Sequence, residues 1–149
     1  MIRRATLQDL ENAKAVLEAA FSPFIAQIGR RPAPMERDLA PAIAAGQLTL
    51  AGTAPAMGLL FCYAQGDALE IDILAVHPAA QGQGLGRRLM AEAERIARDQ
   101  GVGAITLYTN ALMTGAQRLY DGLGFTVTAR ARQDGFDRLF YRKDLPQTF

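Results

Sequence analysis

Hydrophobic positions along the chain recur with two different periods, and each change of period predicts a new element of secondary structure. A period of about 3.6 residues over residues 8–21 predicts a helix that Thr6 caps. A second amphipathic helix is predicted to begin near Leu85 and to end before Gly101. The apolar faces of these two helices consist of Leu10, Ala13, Val16, Leu17 and Ala20, and of Leu85, Leu89, Ala93, Ile96 and Ala97.

Shorter apolar runs predict the strands of the chain. They cover residues 2–5, 47–51, 56–64, 68–76 and 104–109. The final segment, 125–145, predicts a hairpin, because the pair Asp134-Gly135 suits a type I′ turn. A weaker helix is expected at residues 35–45, and another helix at residues 112–123, which Gly124 ends. The order of these elements predicts one α/β domain over the 149 residues, with a mixed sheet of six to seven strands and helices on both faces.

The segment 68–109 reads as strand, glycine-rich loop, helix and strand. Such a unit requires parallel pairing of its two strands through a crossover helix. Ligands of these units tend to sit beyond the carboxyl ends of the strands, near the start of the helix. We therefore expect the functional site at the end of the strand that precedes the glycines.

Composition excludes several classes of protein. A net charge of +1 gives no reason to expect nucleic acid as a partner. The stretch from Leu39 to Gly66 carries no charge, but proline and glycine interrupt it, as in "GTAP" at 52–55, so it predicts two strands and a turn and not a membrane span. One cysteine, Cys62, cannot form an internal disulfide, which together with an N-terminus that does not resemble a signal peptide favours the cytoplasm. One cysteine and one histidine form no metal-ligand cluster, so no metal is expected.

The loop "EIDILAVHPAAQGQGLGRRLM", residues 70–90, is the strongest chemical signal. Gly82, Gly84 and Gly86 let the backbone aim several N–H groups at one anion, which needs positive φ angles and no side-chain bulk. The first turn of the following helix carries arginines, although the positive end of a helix dipole disfavours cations there. That placement is reasonable if a diphosphate binds the loop. The Walker pattern and the dinucleotide fingerprint both fail, since Arg87 follows Gly86 and Leu89 stands where a third glycine is needed.

The remaining pattern, Q-x-x-G-x-G at residues 81–86, resembles the coenzyme A signature of the GNAT superfamily of N-acetyltransferases. "LAVHP" upstream and "LYDGLGF" at 119–125 resemble further signatures of that family. The resemblance implies a partly splayed sheet and acetyl-CoA as cosubstrate. It also implies that one strand end pairs with the pantetheine arm and that the loop holds the pyrophosphate. The implied cofactor-binding residues are Leu74, Ala75, Val76, Gln81, Gly82, Gln83, Gly84, Leu85, Gly86, Arg87 and Asn110.

The family resemblance also assigns candidate catalytic roles for direct attack of a primary amine on the thioester. Tyr120 stands where the family tyrosine commonly donates a proton to the leaving sulfur, although it also fits a packed tyrosine at a helix–sheet boundary. Glu70 matches the glutamate base of one branch, and a water chain is the alternative base. Alternation along the strand places Glu70 and Asp72 on one face, opposite Leu69, Ile71 and Ile73, and an ion-paired or solvated acid fits the two carboxylates equally well.

The acceptor side is the least determined by the sequence. Proline and glycine mark "PFIAQIGRRPAPM", residues 23–35, as a loop. Because the resemblance places the acceptor beside the N-terminal helices and the last hairpin, we predict that residues 24–35 form a specificity loop in which Phe24 and Ile25 build an apolar wall. Arg30 or Arg31 would meet a carboxylate or phosphate, although two solvated arginines fit the pattern equally well. With Asp72, Phe24 and these arginines are the candidate substrate-binding residues, and a small molecule or a protein supplies the amine. The opposing hypothesis is a degenerate acyl-CoA-binding module without turnover. Homodimers are common in similar proteins, but no pattern here demonstrates one.

Overall fold

The computed structural model describes residues 1–52 and 55–146, so Thr53 and Ala54 of the predicted "GTAP" turn lie outside the described residues. The helices are α1 (Leu10–Phe21), α2 (Ile25–Ile28), α3 (Ala40–Ala44), α4 (Leu85–Asp99) and α5 (Thr114–Gly122). The strands are β1 (Ile2–Arg4), β2 (Leu48–Ala51), β3 (Gly58–Gln65), β4 (Ala68–Val76), β5 (Ala104–Asn110), β6 (Thr126–Gln133) and β7 (Phe136–Asp144). None of the helices within these residues is long and apolar enough to cross a bilayer.

The seven strands form one sheet in the order β1-β2-β3-β4-β5-β7-β6. Only β4 and β5 pair in parallel, and every other pairing between neighbours is antiparallel. The predicted mixed α/β sheet is therefore confirmed, with α4 as the crossover between its two parallel strands.

Helices cover both faces of the sheet and create two buried clusters. Leu89 and Met90 of α4 pack in one cluster, and Val16 and Leu17 of α1 pack in the other. The side chains of β3 alternate between the two clusters, as the pleat requires. The amphipathic stripes that predicted α1 and α4 thus face opposite sides of the same sheet.

Several local predictions need adjustment. Helix α1 begins after a 3₁₀ turn, Leu7–Asp9, where the Asp9 carboxylate accepts the Thr6 backbone N–H at 2.8 Å. The predicted loop 23–35 contains α2, which ends where Gly29 adopts a φ of +88°. Helix α3 covers only part of the predicted 35–45, because a 3₁₀ turn at Ala33–Glu36 takes up its beginning.

The predicted β6–β7 hairpin is confirmed. Asp134 and Gly135 have φ angles of 53° and 81°, which is the pair of positive values that a type I′ turn requires.

Strand β4 leaves its parallel neighbour half-way along its length. Pairing with β5 joins Ala68–Ile71 to Ala104–Leu107 and stops there. On the other side, Phe61 faces Ile73 and Cys62 faces Ile71, so Asp72 is an extra residue that bulges from the ladder. The bulge reverses the side-chain alternation: Ile71 packs with α4 and Ile73 with α1. The prediction that Ile71 and Ile73 share a face is therefore wrong, because a strand with a bulge does not alternate strictly.

We expect Leu89→Ala to destabilise the protein by about 2–5 kcal/mol in urea unfolding, because it leaves a cavity in the core beneath α4. Leu89 is 0% exposed. Leu7→Ala is the matched control, since Leu7 is 62% exposed and its truncation should change stability by no more than about 0.5 kcal/mol. Equal losses in the two variants would contradict this description of the core.

Candidate active site

A cleft opens where β4 separates from β5. The cavity has a volume of about 620 Å³ and runs from the end of β4 to the start of α4. One edge of Leu74, Ala75 and Val76 pairs with β3, whereas the edge toward β5 has no strand partner. An unpaired edge of this kind offers N–H and C=O groups to any extended molecule that carries amides.

The glycine loop forms the far end of this cleft. Gly82 and Gly84 have φ angles of 83° and 82°, and Gly84 is the residue that precedes the first turn of α4. A side chain at either position would meet no atom within 4 Å, so backbone conformation, and not crowding, favours glycine. Gly86 differs: it lies inside α4 without a positive φ, so the expectation of a positive φ is wrong there. The Gln81 side chain steadies the loop by donating to the Val76 carbonyl at 3.2 Å.

The electrostatic field at this end of the cleft is positive. The free N–H groups at the start of α4 point out of the helix, and Arg87 lines the cavity. Within residues 1–52 and 55–146, neither Arg87 nor Arg88 has a carboxylate partner within 4 Å. Six of the loop residues predicted to bind the cofactor line the cleft, and Gln83 does not. These six are Gln81, Gly82, Gly84, Leu85, Gly86 and Arg87.

A second, much smaller cavity of about 70 Å³ lies between β4 and β5, beyond the end of their pairing. Asp72, Tyr108 and Arg138 are among its lining residues, and the loop at Pro32–Pro34 covers it. Five residues line both cavities: Phe21, Leu74, Met113, Ala116 and Tyr120. A molecule in the large cleft and one in the small cavity would therefore meet at this shared wall.

Tyr120 lies on α5 at that junction. The residue is 6% exposed, and its ring packs against Phe125 and Tyr141 at centroid distances of 5.9 and 5.6 Å. Burial, with a smaller contribution from Tyr141, raises the pKa of the Tyr120 phenol above its usual value. The phenol is thus fully protonated at neutral pH and is able to donate.

The structure separates the two candidate acids of β4. Asp72 lines the small cavity and accepts a hydrogen bond from Arg37 at 2.6 Å. Glu70 lines neither cavity and accepts a hydrogen bond from the Thr106 hydroxyl on β5. Burial raises the pKa of the Glu70 carboxyl, the bond from Thr106 opposes that shift, and the charge of Asp72 adds to it.

The residues predicted to bind the acceptor lie in different parts of the structure. Phe24 lines the large cleft, not the small cavity. Arg30 lies over the ring of Phe136 at 4.1 Å and donates to the Asp134 carbonyl at 2.8 Å, which connects the α2–α3 loop to the hairpin beside the small cavity. Arg31 reaches neither cavity, because it pairs with glutamates of α1 and of its own loop.

Asn110, predicted to contact the cofactor, lines the small cavity instead of the large cleft. Its side-chain oxygen accepts the Leu112 backbone N–H at 2.9 Å, which makes it a turn residue at the end of β5. The structure therefore places Asn110 beside the small cavity and not beside the glycine loop.

Sequence reasoning missed Arg138 of β7. This arginine is 7% exposed and contributes to the small cavity, with its guanidinium 4.4 Å from the centre of the Tyr108 ring. Alternation within the predicted hairpin allowed it to face the sheet interior, but only pairing with β5 places it opposite Asn110. No local signal in the sequence distinguishes it from the exposed arginines of β6.

Neither the cysteine nor the histidine of the chain lines the two cavities. Cys62 lies outside both cavities, and burial raises the pKa of its thiol to about 12, which keeps it neutral. His77 accepts the Ala79 N–H at 3.0 Å in the turn after β4. Residues 1–52 and 55–146 contain no group of three His, Cys, Asp or Glu side chains placed to hold a metal ion.

The fold and the cleft define the class of this protein. The model of the acetyltransferase (GNAT) family matches residues 14–125, and the chain belongs to that family. Its structure is similar to that of the PaiA N-acetyltransferase from Thermoplasma acidophilum in complex with coenzyme A, with a TM-score of 0.81 and 21% identity over 97% of this chain and 98% of that one. The ribosomal-protein-S18-alanine N-acetyltransferase from Escherichia coli gives a TM-score of 0.72 and 21% identity over 100% of this chain and 96% of that one.

Among curated proteins, the mycothiol acetyltransferase of Arthrobacter sp. (strain FB24) is 44% identical over 57 residues. That match covers 38% of this chain and 18% of the relative. A second mycothiol acetyltransferase, from Beutenbergia cavernae, is 42% identical over 44% of this chain and 22% of its own length. The chain thus spans about a fifth of the length of these curated relatives.

Proposed function

We propose that this protein transfers an acetyl group from acetyl-CoA to the primary amine of a small molecule or a protein. The observation that carries the proposal is the junction of the two cavities, where Tyr120 and Leu74 border both the large cleft and the small cavity. A thioester entering from the first and an amine entering from the second would meet beside a protonated phenol. Family membership supports this reaction, as does the binding of coenzyme A by the relative from Thermoplasma acidophilum.

The cosubstrate fits the residues of the large cleft. The loop from Gln81 to Arg87 offers backbone N–H groups, a helix N-terminus and a cation to a pyrophosphate. The open edge of β4 at Leu74–Val76 offers donors and acceptors to the two amides of a pantetheine arm. An arm extended along that edge would direct its thioester toward Tyr120.

The proposed reaction is a direct attack. The ammonium form of the acceptor first loses a proton to a base, since a primary amine with a pKa near about 10 is almost entirely protonated at neutral pH. The amine nitrogen then bonds to the acetyl carbon, the carbon–sulfur bond breaks, and Tyr120 gives its proton to the leaving sulfur. The nitrogen, positively charged after the attack, loses its second proton to solvent to give the neutral amide, and solvent returns a proton to the Tyr120 phenolate. Backbone N–H groups of β4 near the bulge stabilise the negative charge that develops on the carbonyl oxygen.

We propose Glu70, acting through a water chain, as the base. Glu70 does not line the small cavity, so it needs at least one bridging water to reach an amine there. Its raised pKa suits a proton acceptor better than an ordinary surface carboxylate. Asp72 lines the cavity, but its carboxylate is already paired with Arg37 at 2.6 Å, so we propose it as a structural residue and not as the base.

Two measurements on the purified chain test the function. Calorimetry with acetyl-CoA measures binding, and a thiol-release assay across a library of amines measures turnover. We expect binding and amine-dependent thiol release. Binding without release for any amine would instead support an acyl-CoA-binding module, and the absence of binding would overturn both hypotheses.

We expect Gly84→Ala to weaken acetyl-CoA binding by about tenfold. Alanine at the φ of +82° costs about 1–2 kcal/mol, so the loop would relax away from the geometry that points its N–H groups at one anion. The control is Gly103→Ala, because Gly103 has no positive φ and open space around it. Calorimetry compares the two dissociation constants, and equal affinities would contradict the role of the loop.

We expect Tyr120→Phe to lower kcat by about 10²-fold with little change in acetyl-CoA affinity, because phenylalanine keeps the ring but not the proton. Tyr141→Phe is the matched control, since Tyr141 is 2% exposed and packs against Tyr120 but lines neither cavity. Steady-state kinetics on both variants decide the point, after circular dichroism has established that each is folded. A full kcat in the Tyr120 variant would remove it from the mechanism.

We expect the wild-type kcat/KM to fall as pH is lowered through the raised pKa of Glu70, because a base must be ionised to accept a proton. Glu70→Gln should lose that acidic limb and reduce the rate by about 10²-fold. Asp72→Asn should keep the limb but move it to lower pH, since removing a neighbouring negative charge lowers the pKa of Glu70. An unchanged pH profile in Glu70→Gln would assign the proton transfer to water alone.

A further inference from the structure

The small cavity contains a buried cation that the reaction above does not use. Arg138 is 7% exposed, although arginine is among the residues least often buried without a partner. Its guanidinium lies 4.4 Å from the centre of the Tyr108 ring and 5.4 Å from that of Phe136, and Arg30 covers the Phe136 ring at 4.1 Å. These rings fix the position of the guanidinium at the wall of the cavity.

Within the described residues, the protein supplies only part of the hydrogen-bond acceptors and of the negative charge that the Arg138 guanidinium is able to take as partners. Nη1 donates to the Gln133 amide oxygen at 3.1 Å, and the only carboxylate within 4 Å among the described residues is that of Asp134 at 3.7 Å. The Asp134 side chain is 84% exposed, so water screens that pair. The other guanidinium nitrogens have no protein acceptor there, yet none is fully buried, which leaves them accessible to a ligand.

The charge balance of the small cavity is positive. Asp72 is the carboxylate that lines it, and Arg37 already neutralises Asp72 at 2.6 Å. A buried cation without a close counter-ion is costly, and an anion that binds beside it offsets that cost. The cavity therefore favours an acceptor that has a negative group as well as an amine.

We propose that the acceptor is a free amino acid, whose carboxylate binds the guanidinium of Arg138 while its amine faces Leu74 and Tyr120. The inference rests on the proposed acetyl transfer and adds the substrate class. A planar guanidinium matches a carboxylate with two parallel hydrogen bonds. The cavity is only about 70 Å³ and lies under the loop at Pro32–Pro34, which suits a small molecule better than a protein chain.

The test uses matched acceptors. Thiol release is measured for a panel of amino acids, for the methyl ester and the decarboxylated amine of each, and for amino phosphates of similar size. We expect kcat/KM for at least one amino acid to exceed that of its ester and its decarboxylated amine by about 10- to 100-fold, mainly through KM. This comparison needs no variant and does not depend on whether a change at a buried position folds.

Variants then assign the preference to Arg138. Arg138→Gln should raise KM for the amino acid by about 10- to 100-fold and leave kcat/KM for the ester within about threefold. Arg138→Lys should recover part of the loss, since it restores the charge but not the planar fork. Arg132→Gln is the control, because Arg132 is exposed on β6 and lines neither cavity.

The outcomes separate this inference from the function on which it rests. Turnover with decarboxylated amines or esters as fast as with amino acids, or a preference for amino phosphates, would overturn the substrate class and leave acetyl transfer intact. If no amine is acetylated, calorimetry of amino acids with the coenzyme A-bound protein decides: binding that Arg138→Gln weakens supports the carboxylate site without the reaction, and no binding overturns it.

Discussion

The hydrogen-bond ladder between β4 and β5 stops after Ile71, and the candidate site depends on that interruption. A continuous parallel pair would satisfy the backbone of Leu74–Val76 and close the space between the two strands. The bulge at Asp72 bends β4 away instead, so one edge of its backbone is open and a cleft forms against α5. The backbone N–H and C=O groups along that edge are free to form hydrogen bonds with a ligand that contains amides.

The same separation creates two chemically different spaces. On the side of the glycine loop, the start of α4 and Arg87 provide a positive field for phosphates. On the other side, aromatic rings and Arg138 define a small cavity with a fixed cation. Tyr120 contributes to both, since α5 lies across the gap between the strands. One backbone irregularity therefore supports the proposed cosubstrate site, the proposed acceptor site and the proposed proton donor.

The loop between α2 and α3, which contributes to the small cavity, is held by ion pairs and by the packing of Met35 and Leu39 in the cluster of α1. Arg31 pairs with Glu18 and Glu36, and Arg37 pairs with Asp72. Exposed pairs of this kind contribute only about 0–1 kcal/mol each. The sequence predicted that Arg30 or Arg31 of this loop meets a ligand; in the structure Arg30 donates to the Asp134 carbonyl and Arg31 pairs with Glu18.

Local patterns were enough for most of the helices and strands and for the glycine loop. Apolar periodicity predicted α1 and α4, and the pair Asp134-Gly135 predicted its turn, because each depends on neighbours within a few residues. The sequence alone also indicated the family. Only the tertiary structure decided the bulge at Asp72, the removal of Glu70 from the cavities and the meeting of Arg138 with Tyr108. The last two features arise from pairing between segments far apart in the chain, and the bulge arises from the register of β3 against β4. Periodicity within a single strand encodes neither.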